Sequence, residues 1–518
     1  LLSLKTGKNG QSGRTKIYML ESKHSAPLYE ALLEYKESAK ASFHVPGHKD
    51  GQAYRTLHKA SEYLTQVMDI DITEITGSDD LHHPEGIIKE AQQRAAQFFG
   101  ADQTFFLVGG STAGNLGLIL SVCATPGDVL LVQRNVHKSV IHGLMLAHAK
   151  AVFLAPQIDE VSGLATIPSQ TAVTEALRRY PNAKGLLVTS PNYYGMGSSL
   201  KPLVELCHDS GVPLLVDEAH GAHFGLHSVL PENALAQGAD GVVQSTHKML
   251  TALTMGAMLH VQGSKLDRKL LSQRLAMIQS SSPSYPIMAS LDLSRSVLEA
   301  QGEVIFEDGL AAAQIIRDGI KKLPRFAVVE PRGTNDAYTI QDPFKIVLYD
   351  VTGQWSGYEL QEWLEAAGCI PEMSDDRYVV LALSQGTTRK DVDRLLQALE
   401  KLSENSAIHE VNQLSTWNIG SKFGDEVSSP VQFGLSPISE EMTEAVPIEQ
   451  SAGRQAAEMI IPYPPGIPLL YPGETITDVI LARLIELKKN KAKCQGAGDP
   501  LLATIRVSKV TEGSRDII

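Results

Sequence analysis

Cysteine is scarce: the 518 residues hold four, Cys123, Cys207, Cys369 and Cys494, with no Cys-x-x-Cys pair. That spacing excludes a disulfide framework and a zinc ribbon, and it fits free thiols in a reducing compartment. Long apolar runs are missing too, none approaching the roughly 20 residues that cross a bilayer as a helix, so no membrane association is expected. Basic residues are outnumbered, 46 Lys and Arg against 59 Asp and Glu, for a net charge of −13. No broad basic field is left to grip nucleic acid or an anionic membrane. Gly-x-Gly-x-x-Gly and the P-loop lysine motif are both absent, which argues against a dinucleotide or ATP. Acidic residues are absent from LLSLKTGKNGQSGRTKIYML, which carries Lys5, Lys8, Arg14 and Lys16. This basic segment reads as a transit-peptide remnant or a disordered tail and is set apart from the fold. The expected location is the cytoplasm, or the plastid stroma if the segment is a transit remnant.

In place of these signals the chain has alternation. TFFLVGG (104–110), DVLLVQR (128–134), AVFLAP (151–156), GLLVTSP (185–191), VPLLVDEAH (212–220) and GVVQSTHK (241–248) read as strands. STAGNLGLILSVCA (111–124), HKSVIHGLMLAHA (137–149) and TAVTEALRRY (171–180) read as helices between them. Near-continuous apolar strands separated by helices predict an α/β domain, a mostly parallel sheet covered on both faces. After a long helix expected over 282–302, residues from about 310 to 405 mix helices with strands in a smaller α+β domain. A polar stretch over 403–430 reads as a linker. The last hundred residues join a proline-broken apolar segment to the helix DVILARLIELKKN (478–490). The length asks for several cores, divided as a basic tail (1–23), an N-terminal arm (24–75), a large α/β domain (76–309), a small α+β domain (310–405), and a linker with a C-terminal domain (406–518).

Three pieces of the large domain carry chemistry. VGGSTAGN (108–115) is a strand, two glycines, then Ser111 and Thr112 opening a helix. Free N–H groups at a helix N-terminus suit a phosphate, although Ser and Thr are also ordinary caps. Asp217 closes the apolar strand LLVD, at the edge where open α/β sheets bind ligands. A buried carboxylate there needs a cationic or hydrogen-bonding partner, which a structural ion pair could equally supply. Lys248 ends the next strand-like run. Together the three match the needs of pyridoxal 5′-phosphate: an amine to carry its aldehyde, a carboxylate to keep the pyridine nitrogen protonated, and a phosphate seat. His137, just after the strand 128–134, could stack on the ring, or serve as a cap.

At this point the chain resembles a known family. APLYEAL (26–32), FHVPGHKDG (43–51), SDDLHHPEGIIKEAQ (78–92), RNVHKS (134–139), VDEAHGAH (216–223), STHK (245–248) and YPPGIPLLYPGE (463–474) are similar to the Orn/Lys/Arg decarboxylases. These have the aspartate-aminotransferase fold, fold type I, with a mostly parallel seven-stranded sheet. The resemblance covers about residues 24 to 515 and lacks the N-terminal wing domain of the larger members, which implies a homodimer or a dimer of dimers. It also implies that Lys248 anchors the cofactor, Asp217 contacts the pyridine nitrogen, and His137 stacks on the ring. Ser111, Thr112, Ser245 and His247 would bind the phosphate, and His220 would lie near the phenolic oxygen or the substrate. FHVPGHKDG is expected to reach a neighbouring subunit's site. His44 and His48 lack a third partner to hold a metal, so none is expected.

The activity so implied is decarboxylation of a basic L-amino acid, arginine ahead of lysine and ornithine, to the amine and carbon dioxide, as in polyamine biosynthesis. The only partners expected are that small molecule and further copies of the chain. Glu474, after the proline-rich bend, is expected to face the cationic end of the substrate, unless it is a surface residue opening the next helix. Lys248, His137 or His220 would return the proton. The alternatives are another pyridoxal-phosphate lyase or aminotransferase on the same scaffold, and a non-catalytic relative.

Overall fold

A computed structural model describes residues 24–331, 337–404, 426–436, 439–463 and 466–509. The basic segment at 1–23, most of the expected linker, and Pro464 and Pro465 lie outside the described residues.

Among the described residues, eight strands form the central sheet: β1 (Gln103–Leu107), β2 (Val129–Gln133), β3 (Lys150–Leu154), β4 (Leu186–Thr189), β5 (Leu214–Asp217), β6 (Gly241–Gln244), β7 (Ala257–Val261) and β8 (Val431–Gln432). Their order across the sheet is β1-β7-β6-β5-β4-β2-β3-β8. From β6 through β3 every pairing is parallel. β7 runs antiparallel to β6 and β1, and β8 antiparallel to β3. β4, β5 and β6 are buried along their whole length. Helices cover both faces of such a sheet, so its strands read as unbroken apolar runs instead of alternating ones. Each buried Leu, Ile or Val contributes roughly 1.5–3 kcal/mol from leaving water.

The six strands read from sequence are all present. β7 follows β6 with no long helix between them and runs the other way, so the βαβ rhythm does not announce it. β8 is too short to show a pattern. It makes the sheet eight-stranded where seven were expected, and it ties the C-terminal part to β3.

The helix Gly110–Val122 lies close against the sheet, and a glycine permits this. A Cβ at Gly114 would stand 2.7 Å from Val243 Cγ1 and 2.9 Å from Leu107 Cδ1. The helix Tyr285–Gln301 starts at Ser284, whose hydroxyl accepts from the Ile287 N–H, and takes Pro286 in its first turn. The N-terminal helix Pro27–Glu37 docks on it. Leu28 N–H donates to Asp292 Oδ2 (2.9 Å), and the fully buried Arg295 spans Asp292 Oδ1 and the Ser25 carbonyl, both at 2.7 Å.

The small domain is a four-stranded antiparallel sheet with Lys345–Asp350 at its centre, flanked by the helices Val304–Ile320, Gly357–Ala366 and Arg389–Glu404. Ser356 and Glu359 form a reciprocal capping box at the start of the second helix. The C-terminal part has its own apolar core of Ile448, Ile460, Leu470, Leu484 and Val507, around the strand pair Thr443–Pro447 and Thr504–Ser508 and the helix Asp478–Lys489.

Candidate active site

The pairing of the sheet sends the C-terminal ends of β1 through β6 to one edge, the edge where ligands bind in open α/β folds. Asp217 is the last residue of β5, in register with Thr189 of β4 and Val243 of β6. β6 leads through Ser245 into the short helix Thr246–Met249, which carries His247 and Lys248. β1 leads into the helix Gly110–Val122, and β2 into Arg134 and His137.

Asp217 is buried, and its carboxylate accepts from Asn115 Nδ2 (2.8 Å, to Oδ2) and from the Ala219 N–H (3.2 Å, to Oδ1). Burial raises its pKa, opposed by Asn115, by the Lys248 charge and by the Ala219 N–H. The other N–H of the Asn115 amide reaches Ser139 Oγ (3.0 Å), which lies 2.8 Å from His137 Nδ1. His137 Nδ1 also accepts from the Ser139 N–H, capping the helix Lys138–Leu146. With that lone pair engaged the ring proton belongs on Nε2. Burial, then the charges of Lys248 and Lys138, pushes the His137 pKa down to about 3. The ring is neutral.

Lys248 Nζ lies 3.0 Å from His220 Nε2, and its pKa is lowered, first by burial. His220 is buried against the Tyr193 ring, with centroids 4.5 Å apart, and is held well below the usual histidine range by burial and by Lys248 and Lys345. The backbone brings the proposed phosphate residues together. Gly110 N–H donates to the Met255 carbonyl (3.0 Å), while His247 N–H donates to the adjacent Gly256 carbonyl (3.1 Å). The helix Gly110–Val122 has no side-chain cap, which leaves the N–H groups after Gly110, those of the half-buried Ser111 and the exposed Thr112, without a capping side chain. Ser245 Oγ and Thr189 Oγ1 are buried with no hydrogen-bond partner among the described residues.

Glu474, expected to face the cationic end of the substrate, is engaged in an ion pair. Its carboxylate is taken by the buried Arg134, whose Nη2 donates to Oε1 at 2.9 Å and to Oε2 at 2.8 Å. Arg134 also donates to the Pro468 and Leu469 carbonyls and lies over Tyr471, 4.7 Å from the ring centroid. The pair fastens the C-terminal segment beside His137, where the Gly466 carbonyl accepts from the Lys138 N–H (3.0 Å). Gly466 has φ +92°, and a Cβ there would stand 3.2 Å from His137 Cδ2 and Nε2. A side chain there would crowd the imidazole and strain the backbone at this positive φ.

His44 and His48 sit in the arm, engaged locally with Tyr35 Oη (2.8 Å) and Asp71 Oδ2 (3.2 Å). Sequence reading missed Asn115, Tyr193, Lys345 and Glu372. Asn115 stands in the quoted motif GGSTAGN but is read there as helix. Lys345 and Glu372 come from the small domain, with no motif to mark them, and the exposed Glu372 raises the proton affinity of both Lys248 and Lys345.

The model of the Orn/Lys/Arg decarboxylase major domain matches residues 26–341, and that of the C-terminal domain of the same family matches 426–496. An uncharacterized Bacillus subtilis protein, YaaO, is 40% identical over 474 residues, covering 91% of this chain and 96% of that one. The arginine decarboxylase of Halalkalibacterium halodurans is 37% identical over 496 residues, covering 94% and 99%. Among solved structures, the lysine decarboxylase LdcF of Francisella novicida superposes with a TM-score of 0.77 at 21% identity, over 93% of this chain and 81% of that one. The constitutive lysine decarboxylase of Escherichia coli gives 0.75 at 22%, over 94% and 82%.

Proposed function

The chain belongs to the Orn/Lys/Arg decarboxylase family, and on that premise we propose that it is a pyridoxal-phosphate-dependent decarboxylase of a basic L-amino acid, arginine first. The observation that carries the reading is the convergence of Lys248, Asp217 and His137 at one sheet edge, below an uncapped helix N-terminus.

The residues present fit the cofactor. The orphaned hydroxyl of Ser245, the free N–H groups at Ser111 and Thr112, and His247 make an anion seat. Asp217 would hold a proton on the pyridine nitrogen, since a buried carboxylate with a raised pKa is stabilised by such a partner. Neutral His137 would offer its face to the ring without adding charge. Bound there, pyridoxal phosphate supplies the electron sink that takes up the pair left when the carboxyl group departs.

The protein's own groups do the rest. Lys248 yields its place to the substrate amine and, with a lowered pKa, takes up and returns a proton at Nζ. His137 and His220 stay neutral at physiological pH, so Lys248 is the better acid of the three candidates. Tyr193 packs over His220 and, with the Gly466 turn over His137, limits the entry of water. With Glu474 engaged by Arg134, we assign the cationic end of the substrate to Glu372, an exposed small-domain carboxylate whose charge raises the proton affinity of Lys248 and Lys345.

Exposed apolar residues on the arm, Phe43, Val45, Leu57, Tyr63 and Leu64, support a homodimer. Carboxyl-labelled arginine tests the function: the protein with pyridoxal phosphate should release labelled carbon dioxide. No release from arginine, lysine or ornithine would sink the proposal.

A further inference from the structure

A second amine stands in the site. Lys345 opens the small-domain strand Lys345–Asp350, is 2% exposed, and places Nζ 3.3 Å from His220 Nδ1. The opposite ring nitrogen, Nε2, is 3.0 Å from Lys248 Nζ. One imidazole thus bridges two lysines from two domains. The bridge is held firmly: Gly195, with φ +79°, approaches so closely that a Cβ would lie 2.6 Å from Lys345 Cβ. The Tyr193 ring packs on His220.

The chemistry of the bridge limits its protons. A neutral imidazole has one N–H and one lone pair. It can accept from one lysine, but it must donate to the other, and only an uncharged amine accepts. Two ammonium groups would set an N–H against an N–H, and a third positive charge on the buried ring is costlier still.

We propose that Lys345 and Lys248 share a single ammonium proton across His220, so that Lys345 is the positioning residue that lends Lys248 its proton. In the transfer a proton leaves Lys345 Nζ for His220 Nδ1 while the Nε2 proton passes to Lys248 Nζ. Lys345 ends as the amine and Lys248 as the ammonium. The ring changes tautomer and stays neutral, and no electrons or other groups move. The use of this proton rests on the decarboxylase reading; the sharing itself does not.

The surroundings are mixed in charge. Lys248 is faced by Asp217 from β5, by His220 and His137, by its neighbour His247, and by Glu372 and Lys345 from the small domain. Lys345 is faced by Asp342, Glu372 and His220. Asp342 is itself paired with the buried His223 (2.9 Å). The carboxylates favour a first proton on the pair, while burial and like charge oppose a second.

The test uses the full-length protein freed of cofactor with hydroxylamine. Limiting acetic anhydride labels each lysine across a pH series, read peptide by peptide in a mass spectrometer. In Lys345→Met the labelling midpoint of Lys248 should rise by about 1 pH unit, because a like charge is gone. In Lys248→Met the midpoint of Lys345 should rise equally, because coupling is reciprocal. Lys345→Arg, which keeps the charge, should leave Lys248 low. Should Lys345→Met not fold, the other two variants read the same coupling. An unmoved midpoint in either methionine variant with a native circular dichroism spectrum, a raised Lys248 midpoint in Lys345→Arg, or a shift in only one direction of the pair overturns the proposal. Carbon dioxide release is scored separately: uncoupled lysines in an active enzyme refute the sharing alone, and coupled lysines in an inactive one refute the decarboxylase reading alone.

Discussion

Arg134 and Glu474 meet in a two-oxygen ion pair, at 2.9 and 2.8 Å, that clamps the C-terminal segment onto the strand end carrying His137. The side chains are 7% and 18% exposed, so neither charge can be abandoned cheaply. Glu474→Gln should cost about 3 kcal/mol, as expected when one partner of a buried pair is removed, seen as a lower urea midpoint. If Glu474 instead held the substrate, the variant would show a raised KM with unchanged stability.

Lys248→Ala should reduce turnover by at least about ten-thousand-fold while leaving the fold intact, because in the proposed reaction this amine would anchor the cofactor and carry the proton. Amine production under single-turnover conditions measures this. Residual activity within tenfold of the parent would remove Lys248 from the mechanism.

Asn115→Leu strips Asp217 of its side-chain donor. A hydrogen bond to a charged group is worth about 1.5–3 kcal/mol, so pyridoxal phosphate should bind about 10- to 100-fold more weakly in equilibrium titration. Unaltered affinity would place Asp217 away from the cofactor.

Acid should destabilise the protein through its neutral histidines. His260 lies between Thr104 Oγ1 and Gln244 Oε1, with burial pushing its pKa down to about 3, the same value as His137. Both take up a proton near pH 6.5 when unfolded. Their contribution is therefore complete above that pH and is lost as the pH falls from about 6.5 towards 3. Glu218 has the opposite sign. Burial raises its pKa to about 8, so its contribution is full below its unfolded pKa and fades as the pH rises through 8. Urea unfolding at stepped pH should show His260→Gln flattening the acid limb and Glu218→Gln the alkaline one. Unchanged limbs would contradict the assignments.

Much of this was legible in the sequence because the signals were local. LLVD and GVVQ are apolar throughout since both faces of β5 and β6 are covered, and Asp217 and Lys248 stand at the break of those runs. The short bridge from Gly110 to His247 explains why two distant Ser/Thr motifs can serve one anion. What escaped depends on tertiary contact. Glu474 looked free because nothing near it in the chain announces Arg134, which lies 340 residues away. Lys345 reads as one lysine in a strand, and only packing of the small domain sets it against His220.

The central claim is tested most directly by the products formed from an equimolar mixture of arginine, lysine and ornithine with pyridoxal phosphate, identified by mass spectrometry. The account predicts agmatine as the leading amine, with one carbon dioxide released per amine. Keto acids without carbon dioxide, or no amine above the Lys248→Ala background, would contradict it.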